Sequence, residues 1–188
     1  LKKVQATYAD NPDPPALDRA LRRYFDLLND APDDPEILFQ TATAFLQGSA
    51  FGMGLQLFKR VEAYWPNNAR VLGNMGCCYR GIHQIERSRE CFQRALAIDP
   101  SSETYNNLGA CYVNEDSAQD GLQYARQSVI LSPDVPRPKW NYALLCLELG
   151  LWREGFSHFD AGFLCRERQL RCYDVREKGA PDSIPWWN

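Results

Sequence analysis

Four side-chain amides stand at nearly equal intervals along this chain of 188 residues: Gln40, Asn74, Asn107 and Asn141 are 34, 33 and 34 positions apart. An amide side chain both donates and accepts hydrogen bonds. A row of them can therefore satisfy the N–H and C=O groups of an extended backbone without reading its side chains. The same groups can equally bond a neighbouring helix or loop and set the packing between segments, because asparagine readily serves local backbone. The sequence leaves both uses open.

Reactive chemistry is harder to assemble from these residues. No Gly-rich phosphate loop or nucleophile elbow is present, and His83 and His158 stand far apart, outside any HxxxH or HExxH pattern. The acidic pairs Asp33-Asp34 and Glu115-Asp116 sit at expected helix junctions, where capping explains them better than acid/base work. Seven cysteines at 77, 78, 91, 111, 146, 165 and 172 form an odd set with no CxxC spacing. They read as small core hydrophobes in a reducing, cytoplasmic setting rather than as a disulfide frame or a metal site. No enzyme activity, cofactor or metal is expected.

Charge narrows the partners. Twenty-one Lys and Arg against 24 Asp and Glu leave a net −3, which gives no general pull toward phosphate backbones or anionic lipid. The run Arg166 to Arg171 is interrupted by Glu167 and reads as a solvated helix face. No apolar run approaches 18 residues, and the opening LKKVQATYADN has no apolar core of a secretory signal. Neither nucleic acid nor membrane is expected as a partner. The start at Leu1 and the end at Pro185-Trp186-Trp187-Asn188 suggest a segment of a longer polypeptide.

The amide interval is the period of the whole chain. Pro32, Pro66, Pro100 and Pro133 repeat at 34, 34 and 33, and the small residues Ala20, Gly54, Ser88, Gly121 and Gly155 keep the same steps. Tyr24, Phe58, Phe92, Ala125 and Phe159 form a third track, and Ala42, Gly76, Gly109 and Ala143 a fourth, with Phe45, Tyr79, Tyr112 and Cys146 three residues beyond. Within a unit, apolar residues such as Leu72, Met75, Gly76 and Tyr79 recur at helical spacing. Two helices per unit follow, closing on proline, which cannot continue the hydrogen-bond ladder. Helices are expected at 15–30, 35–47, 51–64, 69–81, 85–98, 102–114, 118–131, 136–149 and 152–171. Helix pairs fill units 35–68, 69–101, 102–135 and 136–171, after a degenerate unit 1–34 and before an irregular tail or junction over 172–188.

These tracks resemble the tetratricopeptide (TPR) repeat, which places Leu, Gly and Tyr on a first helix, Ala and Phe on a second, and Pro at the close. Residues 69–101 carry Leu72, Met75-Gly76, Tyr79, Ser88, Phe92, Ala95 and Pro100, and residues 102–135 carry Leu108-Gly109, Tyr112, Gly121 and Pro133. The resemblance implies an all-α, right-handed superhelical solenoid with a concave groove lined by first helices. It further implies a non-enzymatic protein-interaction module that takes an extended peptide of some protein partner. In that frame the sixth position of each first helix, held by Gln40, Asn74, Asn107 and Asn141, falls on the concave face. Phe39, Thr43, Arg70, Cys77, Arg80, Glu103, Arg137 and Trp140 fall on or beside it. Trp140 could anchor a partner or sit in the core. Arg70 and Arg137 could meet an acidic partner, although ordinary surface pairing explains them too. The family's carboxylate clamp is not expected, since Phe39, Thr43, Gly73 and Cys77 occupy its opening positions.

Two other outcomes stay in view. Leu149-Gly150-Leu151-Trp152-Arg153-Glu154-Gly155-Phe156 is similar to the junction between a TPR arm and a glycosyltransferase-like domain, which would make this chain a substrate-recruiting arm. Alternatively, an open solenoid end could self-associate, because each terminal repeat leaves a face unstacked.

Overall fold

The computed structural model describes residues 23, 26–113, 117–159 and 161. Most of the degenerate unit 1–34, the extension of the last helix to 171 and the tail 172–188 lie outside those residues; of the expected helix 15–30, residues 26–30 are described and helical. The helices beyond that stretch are α1 (Pro35–Gln47), α2 (Phe51–Tyr64), α3 (Ala69–Gly81), α4 (Ile85–Ile98), α5 (Ser102–Ala110), α6 (Ala118–Leu131), α7 (Pro136–Glu148) and α8 (Trp152–Phe159). No strand occurs among the described residues.

Each first helix starts on the same device until the last unit. Asp34 Oδ1 accepts from the N–H groups of Glu36 and Ile37 at 2.9 and 3.2 Å, and Asn68 Oδ1 accepts from those of Arg70 and Val71 at 3.0 and 3.2 Å. Ser101 Oγ accepts from the Thr104 N–H at 3.3 Å. These oxygens satisfy N–H groups that a helix start leaves unpaired. Val135 has no such oxygen, and α7 instead begins with Pro136, which lacks the N–H.

The turn between paired helices also repeats. Ser49 at φ 59°, His83 at φ 60° and Gly150 at φ 73° adopt the left-handed conformation. The N–H one residue later bonds back to Phe45, Tyr79 and Cys146 respectively, at 2.8, 2.9 and 2.8 Å, closing each first helix. Left-handed backbone costs a residue with a Cβ about 1 kcal/mol or more. Replacing His83 by glycine relieves that cost and adds some unfolded-chain freedom, so His83→Gly is expected to stabilise by roughly 0.5 kcal/mol. A urea midpoint that fails to rise would contradict this.

Small residues let the pairs close. A Cβ on Gly76 would lie 2.7 Å from the Phe92 ring, and one on Gly109 would lie 3.0 Å from the Ala125 backbone nitrogen. Phe58 and Phe92 are fully buried, Phe92 against the gap at Gly76, and where the aromatic track carries Ala125, α5 and α6 approach backbone to backbone. Tyr124, one position earlier, supplies the ring instead, stacking on Tyr112 at 6.0 Å and on Tyr105 at 6.5 Å.

Pairs α1/α2, α3/α4, α5/α6 and α7/α8 pack internally, each second helix packs on the next first helix, and first helices touch, α1 on α3 and α5 on α7. The core is continuous from repeat to repeat, as in a stacked solenoid. One cluster joins Leu38, Phe58, Val71 and Cys91, and the next joins Phe92, Leu108, Tyr142 and Cys146. Cys78, Cys91, Cys111 and Cys146 are buried as free thiols, in keeping with their reading as small core hydrophobes.

One helix differs from its expected length. α5 stops at Ala110 rather than 114, because the N–H groups of Cys111 and Tyr112 bond to carbonyls only three residues back. The Arg89 guanidinium, from the preceding unit, donates to the Cys111 carbonyl at 2.9 Å and lies 4.0 Å from the centre of the Tyr112 ring. The cation thus meets a carbonyl just past the helix end. The segment Leu149–Phe156 that resembles a glycosyltransferase junction forms the α7–α8 turn and the start of α8, built like the other turns.

Candidate groove across three first helices

Because α1, α3 and α5 each start on a side-chain cap and carry their tracks at the same positions counted from the helix start, equivalent residues arrive at one face. They line a hollow of about 300 Å³. Its walls carry Phe39, Gln40 and Thr43 from α1, Arg70, Gly73, Asn74 and Cys77 from α3, and Glu103, Thr104 and Asn107 from α5. Asp99 and Ser101, from the loop before α5, complete it. A smaller hollow of about 190 Å³ adjoins it, between Glu36, Phe39, Trp65, Asn68 and Arg70.

The four amides differ in how they are engaged. Asn74 is half-buried in the hollow and makes no side-chain hydrogen bond among the described residues. Asn107 donates only to the Cys77 sulfur, at 3.7 Å, a weak acceptor. Gln40 donates to Glu36 Oε1 at 2.7 Å. Asn141 stands apart from the hollow and donates to Asn106 Oδ1 on the preceding first helix at 2.8 Å. Peptide contact and repeat packing, both open on the sequence, are thus divided among equivalent positions.

The other expected groove residues separate similarly. Phe39 is mostly core, its ring edge-on to Phe58 at 5.8 Å and tilted against Trp65 at 6.0 Å, with the Arg70 guanidinium 5.2 Å from its centre. Thr43 Oγ1 donates to the Phe39 carbonyl at 2.8 Å. Arg80, Arg137 and Trp140 do not line the hollow, and Trp140 packs edge-on to Phe159 at 5.2 Å. Trp65, Asp99, Ser101 and Thr104 were not anticipated. All but Thr104 belong to the connections between units, which bring the end of one repeat beside the next first helix.

Electrostatics argue against chemistry at Cys77. Burial pushes its thiol pKa up, Arg80 pulls it partly back and Glu103 raises it again, so the sulfur is a protonated thiol near neutral pH. The hollow carries one cation, Arg70, against Asp99 and Glu103.

The tetratricopeptide-repeat family model matches residues 69–102, the unit with the most regular tracks. The peroxisomal targeting signal receptor of Candida glabrata is 27% identical over 105 residues, 55% of this chain but 17% of that receptor's length. A crystal structure of MamA superposes with a TM-score of 0.69 at 18% identity, covering 84% of this chain and 91% of that one. The structure of YrrB, described as a TPR protein with an unusual peptide-binding site, superposes with a TM-score of 0.64 at 13% identity, covering 86% and 84%. These structural likenesses concern the fold, and the chain spans only a small part of the curated relatives it matches. With a matched repeat at its centre, helix pairs stacked on either side and a backbone that follows known TPR structures, the chain carries a tetratricopeptide repeat over residues 69–102 and has the fold of a TPR solenoid.

Proposed function

We propose that this TPR interaction module binds an extended segment of a protein partner, non-enzymatically, in the groove across α1, α3 and α5. The observation that carries the reading is Asn74: an amide half-buried in the hollow, with no hydrogen-bond partner among the described residues. An amide that faces the hollow with no protein partner is free to bond a ligand, and an extended backbone supplies both a donor and an acceptor for it. Asn107, held only by a thiol, can exchange that contact for a better one. Gln40 keeps its carbonyl side for a ligand while bonded to Glu36. No described helix is long and apolar enough to cross a membrane.

The test begins with 12-residue peptides selected from a random display library on the immobilised protein. Asn74→Ala with Asn107→Ala is expected to weaken the selected peptides about tenfold or more, since each lost hydrogen bond is worth on the order of 1 kcal/mol. Circular dichroism should stay unchanged. Selection that enriches nothing over bare matrix, or equal affinity in the double variant, would refute the groove.

A further inference from the structure

A second track runs along the same face, at the second position of each first helix. Glu36, Arg70, Glu103 and Arg137 are 34, 33 and 34 residues apart and alternate in sign, and all four are exposed. Glu36 and Arg70 border the smaller hollow, and Arg70 and Glu103 border the larger one. Among the described residues, Glu36, Arg70 and Glu103 form no ion pair. Arg94 on α4, by contrast, pairs with Glu62 at 2.8 Å, and Arg60 on α2 pairs with Asp33 at 2.9 Å. The charges bordering the groove are therefore not neutralised by an opposite charge, although Glu36 accepts from Gln40 and Arg70 lies against the Phe39 ring, while these pairs tie second helices to their surroundings.

Spacing turns this track into a specificity. Packed helices lie about 8–10 Å apart, and a chain in the extended polyproline-II conformation rises about 3.1 Å per residue and returns a side chain to the same face every third one, so one repeat spans roughly three ligand residues. We propose that the groove selects extended peptides whose charges alternate in sign every third residue, a basic residue opposite Glu36, an acidic one opposite Arg70 and a basic one opposite Glu103. The inference rests on the groove reading above and adds what that reading lacks, since amides bonded to backbone do not discriminate between sequences. Complementary charges reward the matched register, and a shift by one repeat sets like charges against each other.

Two fluorescein-labelled peptides of equal composition test this: Lys-Ala-Ser-Glu-Ala-Ser-Lys-Ala-Ser-Glu, and its isomer with the order Lys, Lys, Glu, Glu at the same spacing. By fluorescence anisotropy at low salt, the wild-type protein is expected to bind the alternating peptide at least fivefold tighter, and the preference should fade in high salt. Arg70→Glu with Glu103→Arg rearranges the track to two acids followed by two bases, and the preference should then pass to the isomer. Equal binding of both peptides, weakened alike by Asn74→Ala with Asn107→Ala, would overturn the charge register and leave the groove standing. Failure of both peptides to bind would also overturn the register, and the library-selected peptides then judge the groove separately.

Discussion

Phe92→Ala is expected to lower unfolding stability by about 3–5 kcal/mol, the usual cost of removing a large aromatic from a core that cannot collapse around the gap. Phe92 is fully buried on α4, adjacent to Cys91 of the first core cluster and itself in the second, so its ring lies where the two halves of the stack meet. In a solenoid each unit depends on its neighbours, and a void there weakens both. The ring lies over Gly76, at which a Cβ would sit 2.7 Å from it. That contact supplies a control that a general loss of hydrophobicity would not pass. Gly76→Leu alone should destabilise by overpacking, whereas Gly76→Leu combined with Phe92→Ala should cost less than the sum, because the new side chain enters the vacated space. Urea denaturation of the three variants measures the coupling. Additive costs, or a loss under about 1 kcal/mol for Phe92→Ala, would show that the ring does not fill that gap.

The repeat period made most helix boundaries legible, because each lies where local chemistry changes: α1 starts after Asp34, α3 after Asn68, and both end on a left-handed turn. The early end of α5 was not legible. Nothing local to Gly109-Ala110-Cys111 marks it, and the group that meets the Cys111 carbonyl there, Arg89, lies 22 positions upstream. The groove divides along the same line. Register alone brings Gln40, Asn74 and Asn107 to one hollow. Asn141 shares the register, yet its amide turns to Asn106, and the residue type on the preceding helix explains why. The positions equivalent to Asn106 are Phe39, Gly73 and Trp140, none of which offers a side-chain oxygen. Periodicity specifies where a side chain emerges, and its neighbour's chemistry decides what it does there.

Stability is expected to fall steeply as pH rises above about 9, through thiols that the fold keeps protonated. Burial pushes Cys78 from 9.0 up to about 12, with Cys77 and Cys91 adding to the rise. Burial likewise pushes Cys91 up to about 11, against the pull of Arg94. Cys77, Cys146, Tyr112 and Tyr142 are all shifted the same way, burial leading in each case. The sign follows from proton counting. Above its ordinary pKa a thiol ionises in the unfolded chain while the folded protein still holds the proton, so unfolding releases protons and higher pH favours it. The stabilisation is complete below pH 9 and is lost at up to roughly 1.4 kcal/mol per pH unit for each such thiol, until the folded pKa is reached. Cys78 and Cys91 together can therefore remove about 4 kcal/mol by pH 10.5, a large share of a typical domain's stability. Urea midpoints at pH 7.5, 9.0 and 10.5 check the slope, and Cys91→Ala should flatten it even though the truncation lowers stability at neutral pH. A midpoint unchanged between pH 7.5 and 10.5 would mean that these sulfurs reach solvent in the folded protein, which contradicts their near-complete burial at 0% and 5% exposure.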